Sequence, residues 1–183
     1  MQFDEKKITE MLRQDDVSKS RAFEAIVRQY SEQLYWQIRH MVYSHDDAND
    51  LLQNTFIKAW LNIDSFQGYS KISTWLFRIA INETLTFLSR QKIMQTITID
   101  DPEINLGEQL EGDPYFDGNE TEEQLQQAIA TLPEKQRMVF NLKYFDEMKY
   151  EEMSEILGTS VGALKASYHI AVKKIEDYFN NID

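Results

Sequence analysis

The stretch Tyr150-Glu151-Glu152-Met153-Ser154-Glu155-Ile156-Leu157-Gly158-Thr159-Ser160-Val161-Gly162-Ala163-Leu164-Lys165-Ala166-Ser167-Tyr168-His169, continued to Phe179, decides the reading of the fold. Met153, Ile156 and Leu157 lie on one side of a short helical segment. Gly158 then supplies a residue that takes the left-handed conformation of a tight turn without strain. Ser160 is suited to cap a second helix, because its hydroxyl accepts a hydrogen bond from a free amide of the first turn. On that helix Val161, Leu164, Tyr168, Ala171, Val172, Ile175 and Phe179 recur at steps of three and four and form the face to be buried. Another face carries Gly162, Lys165, Ala166, His169 and Lys173, with Lys174 beside it and no acid before Glu176. A short helix, a glycine turn and a longer capped helix make a helix-turn-helix, whose small residues near the second helix's start let it approach a major groove. An ordinary helical hairpin with a basic solvent face has the same spacing; what separates them is that this face is positive on an acidic chain.

Outward from this stretch the pattern stays helical. Glu122 to Thr131 reads as a helix stopped by Pro133, and Pro133-Glu134 opens another that runs to about Phe145. In the first half Phe23, Ile26, Val27, Tyr30, Leu34, Ile38, Met41 and Val42 form one stripe, with Ser20 as a plausible cap. Ser44-His45-Asp46-Asp47 resembles a capping box before a helix with Ala48, Leu51, Leu52, Thr55, Phe56, Ala59 and Trp60 on its inner face. A loop over Phe66–Ser70 precedes a helix from about Thr74 to Lys92 that buries Leu76, Ile79, Ala80, Phe87 and Leu88. The expectation is an all-α protein of two small helical domains, residues 1–94 and 121–183, the second one a helix-turn-helix. Between them Pro102, Gly107, Gly112, Pro114 and Gly118 break the periodicity, so residues 95–120 read as an extended linker.

Charge narrows the class of function. The 183-residue chain carries a net −12, unfavourable for a free-standing nucleic-acid binder because such affinity comes largely from neutralising phosphates. Residues 1–95 are balanced, residues 96–121 hold eight acids and no base, and residues 122–183 are mildly acidic. The absence of cysteine excludes disulfides and thiolate metal sites and fits a reducing compartment. No apolar run approaches the roughly 18 residues of a membrane span, and Met1-Gln2-Phe3-Asp4-Glu5 lacks the order of a signal peptide. A soluble cytoplasmic protein without direct membrane insertion is expected. An enzyme is disfavoured: His40, His45 and His169 have no metal-binding spacing, no glycine loop cradles phosphate, and Glu151 and Glu152 suit a helix's first turn. Neither a metal nor another cofactor is called for.

Four segments together resemble one family. Asp47-Ala48-Asn49-Asp50-Leu51-Leu52-Gln53-Asn54-Thr55-Phe56-Ile57-Lys58-Ala59-Trp60 and Ser73-Thr74-Trp75-Leu76-Phe77-Arg78-Ile79-Ala80-Ile81-Asn82 are similar to the second conserved region of bacterial extracytoplasmic-function (ECF) sigma factors. Leu132-Pro133-Glu134-Lys135-Gln136-Arg137-Met138-Val139-Phe140 and Tyr150–Gly158 are similar to the fourth region. The resemblance implies a sigma factor that binds core RNA polymerase, directs it to promoters and helps melt promoter DNA, with an anti-sigma protein as a further partner.

It also implies three surfaces. Asp50, Gln53, Asn54 and Ile57 form a second stripe on the Asp46–Ile63 helix, and an Ile there makes sense only with a partner, in the family the polymerase clamp helices. Asn54 departs from the family's usual glutamate and removes one charge-assisted hydrogen bond. Around the Phe66–Ser73 loop, which resembles the segment capturing a flipped base of the minus-ten element, Phe66, Tyr69 and Trp75 are candidates for stacking or pocket walls. There Lys71 and Arg78 are candidates for phosphates and Asn82 for hydrogen bonds to base or backbone. Trp75 fits the core equally well. Ser160, Gly162, Lys165, Ala166, His169 and Lys173 belong to the helix that in the family reads the minus-thirty-five element; Ala166 stands where the family often has arginine. The alternative function is a stand-alone helix-turn-helix regulator, which would bind duplex DNA without polymerase.

Overall fold

The computed structural model of the protein describes residues 4–97 and 120–181, and within them every regular element is helical. The helices are α1 (Glu5–Met11), α2 (Asp16–Val42), α3 (His45–Leu61), α4 (Ile72–Ile97), α5 (Glu120–Ala130), α6 (Glu134–Tyr144), α7 (Tyr150–Leu157) and α8 (Val161–Asn180), with a 3₁₀ turn at Ile63–Ser65. None of them is long and apolar enough to cross a membrane. The expected linker over 95–120 lies outside the described residues, except that residues 95–97 continue α4 and residue 120 opens α5.

Local signals account for most boundaries. Ser44 caps α3 by accepting from the Asp47 amide at 3.2 Å, and Pro133 precedes α6. Gly158 ends α7 at φ +62° and Ser160 caps α8. Two boundaries differ from the sequence reading. Ser20 is not the cap of α2; Asp15 is, its carboxylate accepting from the Val17 and Ser18 amides at 3.0 Å each. The helix therefore starts a turn earlier, because an anion at the N-terminus satisfies free amides and meets the positive end of the helix dipole. α4 begins at Ile72 and passes Lys92 to Ile97, since nothing at Lys92 stops a helix.

The core is built around α2. Its Ile26, Leu34, Ile38 and Met41 are wholly buried, against Ala48, Leu51 and Ala59 of α3 and Leu76, Phe77, Ala80 and Ile81 of α4. Ile8 and Leu12 fasten the α1 segment to this core. Met138, Val139 and Leu142 of α6 and Met153 and Ile156 of α7 join the same cluster, so the two halves pack directly on each other. A second cluster unites Ala128, Ile129, Leu132, Phe140, Ala171 and Ile175 beneath the helix-turn-helix.

The seam between the halves is partly polar. Asn141 Nδ2 donates to the His40 carbonyl at 3.0 Å, and Gln37 Nε2 meets Met138 Sδ at 3.8 Å. The His40 ring stacks on Phe145 with centroids 4.0 Å apart. Gln37 Oε1 and Asn141 Oδ1 receive no hydrogen bond from the described residues although both side chains are buried. Burial, with the Arg39 charge, lowers the His40 imidazole to about 4, so this ring is neutral in the packed state.

Beyond α6, burial alone pushes the Asp146 carboxyl up to about 7 from its ordinary 3.8. The folded state then holds a proton that the unfolded state has lost, and stability falls as pH rises from 3.8 to about 7. Asp146→Asn is therefore expected to raise thermal stability by roughly 1–3 kcal/mol at about pH 8 and by distinctly less at about pH 5. Equal gains in the two thermal melts would contradict this origin.

Candidate functional site

Three exposed surfaces carry the residues singled out from the sequence. The first is on α3. Asp50, Gln53, Asn54 and Ile57 are all exposed on one side, while Ala48, Leu51, Thr55 and Ala59 are buried on the other. Ile57 is 50% exposed and is followed by Leu61 at 73% and Trp60 at 39%. Trp60 thus sits at the rim of the core, its ring 5.1 Å from that of Phe23, rather than wholly inside. The apolar part of the surface is consequently larger than the stripe in the sequence indicates.

The second surface lies where the 3₁₀ turn leads into α4, and the structure divides its aromatic residues. Phe66 is buried and its ring centroid is 5.1 Å from that of half-buried Trp75; the two form one wall of the core. Tyr69 is 93% exposed, so it alone of the three offers an open ring face. Asn82 is exposed further along α4. Lys71 and Arg78 are exposed, but each is already engaged by α7. Lys71 Nζ pairs with Glu152 Oε1 at 3.0 Å, and Arg78 Nη2 donates to the Glu155 carbonyl at 2.6 Å. The hydrogen bond and charge of Glu152 raise the Lys71 ammonium above its usual value, and Lys71 in turn lowers Glu152. α7 therefore covers the cationic side of α4. The sequence pointed to Glu152 only as a first-turn acid, since its partner stands 81 residues away along the chain.

The third surface is on α8. Gly162, Lys165, Ala166, His169 and Lys173 are exposed along one side, and Leu164, Ala171 and Ile175 are buried on the other. A Cβ placed on Gly162 would meet nothing within 4 Å, so this position is small toward solvent and not for internal packing. Ser160 is committed to capping, its Oγ accepting from the Ala163 amide at 3.3 Å. Lys165 Nζ lies 5.6 Å from the centre of the Tyr150 ring, and Lys143 Nζ approaches the same ring at 5.1 Å. Tyr150 thus carries two ammonium groups beside the exposed face of α8, a role its position in the sequence did not signal. Lys174 is drawn away by Gln136 Oε1 at 2.9 Å.

Comparison with known proteins identifies the family. The Sigma-70 region 2 family matches residues 26–93 and the Sigma-70 region 4 family residues 122–175. The ECF RNA polymerase sigma factor SigW of Bacillus subtilis is 34% identical over 156 residues, 81% of this chain and 83% of that one. The chain belongs to the ECF RNA polymerase sigma factors. The ECF RNA polymerase sigma-E factor of Haemophilus influenzae is 28% identical over 184 residues, covering 96% of this chain and 95% of its own. Among solved structures, the sigma factor RpoE from Bartonella quintana, bound to the anti-sigma factor NepR, superposes with a TM-score of 0.69. That match is 23% identical and covers 86% of this chain and 96% of the other. CnrH in complex with the cytosolic domain of CnrY gives 0.70 at 20% identity, over 98% and 99%. At such identities the superpositions establish the shared fold. As a sigma factor, the protein directs RNA polymerase to promoters.

The turn at the start of α8 can be checked by itself. Ser160→Ala removes the cap and Gly158→Ala strains a left-handed residue; each is expected to cost about 1 kcal/mol in denaturant unfolding. Ala166→Ser, on the exposed side of the same helix, should change stability by less than about 0.5 kcal/mol.

Proposed function

We propose that this sigma factor docks on core RNA polymerase through Asp50, Gln53, Asn54 and Ile57. In the same reading it captures the minus-ten element with the loop over 66–73 and the start of α4, and reads the minus-thirty-five element with α8. The observation that carries the reading is the exposed α3 face, where isoleucine and leucine side chains stand in water beside a polar stripe on a helix whose opposite face is fully buried. A soluble helix gains nothing by exposing such a patch unless a partner covers it. Residues 1–94 and 121–183 act as two modules joined by the acidic segment 95–120, with no catalytic chemistry of their own. The site of action is the cytoplasm.

The two modules must separate for this to work. Elements named for positions 10 and 35 lie about 25 base pairs apart, roughly 85 Å at about 3.4 Å per pair, whereas α4 and α7 are in direct contact through Lys71 and Glu152. The seam suits separation: its ion pairs Lys71–Glu152 and Lys92–Glu134 are partly open to solvent, and the buried Gln37 Oε1 and Asn141 Oδ1 accept no hydrogen bond from the described residues, so water recovers part of the loss on opening. An anti-sigma protein is inferred as a further partner that competes for these faces.

In a binding assay with core polymerase, Ile57→Asp is expected to weaken the complex at least about tenfold with less than about 0.5 kcal/mol change in folding stability. Unchanged affinity would refute the docking face. In gel shifts, duplex DNA should be retained with core polymerase and not by the isolated chain; strong retention alone would favour the helix-turn-helix regulator. In the holoenzyme, Lys165→Ala should reduce the salt slope of promoter binding by about 1.

A further inference from the structure

The first helix, α1, lies outside the segment matched by Sigma-70 region 2, which begins at residue 26. Its own packing is modest: Ile8 and the capping Leu12 are buried, and Lys6, Lys7 and Glu10 are exposed. Polar side chains of α1 and of the turn that follows it nevertheless converge on one target, the loop between the 3₁₀ turn and α4. Arg13 Nη2 donates to the Gln67 carbonyl at 2.8 Å. Glu5 Oε1 accepts from the Ile72 amide, the first of α4, at 2.6 Å. α4 has no acid in its own first turn, so this carboxylate from another helix is the anion at its positive end.

Gly68 is seated between these two contacts. It has φ +74°, and a Cβ there would lie 3.3 Å from Arg13 Nη2 and 3.4 Å from Thr9 Cγ2. The loop is therefore held on either side of its tip by α1 and the turn after it, and the residue at the tip is Tyr69, with 93% of its surface open. Gripping a loop at Gln67 and at Ile72 while leaving Tyr69 unburied fixes the place of an aromatic ring without covering its faces.

We propose that α1 and the turn after it form a positioning element for promoter reading: Glu5 and Arg13 set where the Tyr69 ring meets an unpaired base. The inference rests on the reading of the 66–73 loop as the base-capturing segment, and it adds a specificity determinant outside the family's matched regions. Both contacts are charge-assisted, which gives them direction as well as strength. Their effect is one of preorganisation: a ring already placed loses less freedom on stacking than a ring on a loose loop.

The test uses the full chain bound to core polymerase and a pool of fork-junction DNAs randomised over the single-stranded non-template segment. The enrichment of bases by the wild type is compared with that by variants. Arg13→Ala and Glu5→Ala are expected to lower enrichment at the captured base about fivefold, the loss of one oriented hydrogen bond. Glu5→Gln, which keeps an acceptor for the Ile72 amide, should retain most of it, and Lys6→Ala, on the exposed side of α1, all of it. Gly68→Ala should cause the same loss as Arg13→Ala by displacing the loop. Thermal melts and core binding are measured in parallel. Should Arg13→Ala and Glu5→Ala lower only the melting temperature and leave base enrichment intact, α1 is merely structural and the proposal is overturned. Arg13→Lys and Glu5→Gln, milder changes, keep the comparison open if an alanine variant fails to fold; enrichment by Arg13→Lys equal to that by wild type, with Glu5→Ala also unchanged, overturns it as well. Tyr69→Ala separates the two levels of the argument. If it abolishes enrichment while the α1 variants do not, only the positioning role falls; if it too has no effect, the reading of the loop falls with it.

Discussion

The burial of one apolar stripe along α2 is the constraint on which the remaining arrangement depends. Ile26, Leu34, Ile38 and Met41 are each fully withdrawn from water, and each such side chain contributes about 1.5–3 kcal/mol. To cover a helix from Asp16 to Val42 the chain must fold α3 and α4 back against it on one side. The same stripe also receives α6, so the helix that organises the first half is the dock for the second. The exposed face of α3 is the outer side of a helix whose inner side serves that burial, whereas α8 buries Ala171 and Ile175 in the second cluster.

Polar groups decide what the packing leaves open. Where the two halves meet, Gln37 and Asn141 are buried with acceptors unsatisfied by the described residues, which makes the seam costlier to keep shut than an apolar one of equal area. Within the first half the interactions run the other way. The Lys58–Glu83 ion pair ties α3 to α4, Lys19 meets Asp64 at 2.5 Å, and Arg13 and Glu5 hold the loop before α4. The first half is thus a fixed platform, and the contact between halves is the part that suits exchange for another partner.

This arrangement reconciles an acidic chain with a DNA-directed role. On α8 the cations toward solvent are few, and Lys165 is steadied over the Tyr150 ring. On α4, Lys71 and Arg78 are occupied by α7. Neither surface is strong enough by itself to hold a polyanion. In the proposed reading, a polymerase docked at α3 would supply the missing affinity and leave these surfaces the task of discrimination.

The helices from α2 onward, the caps at Ser44 and Ser160, the turn at Gly158 and the exposed stripes on α3 and α8 were legible in the sequence, because each depends on residues within a few positions of one another; the short α1 was not read there. The two conserved regions were legible for the same reason. Phe66 and Tyr69 looked equivalent as aromatic candidates; only the packing of Phe66 on Trp75 assigned one to the core and the other to solvent. The grip of Glu5 and Arg13 on the loop, the capture of Lys71 by Glu152 and the neutral His40 against Phe145 join residues tens of positions apart. The sequence by itself determined which faces are apolar and where the helices turn, since periodicity and capping are local. Which charged groups meet, and which aromatic ring stays open, only the tertiary structure decided, because burial and charge pairing are set by distance in space and not along the chain.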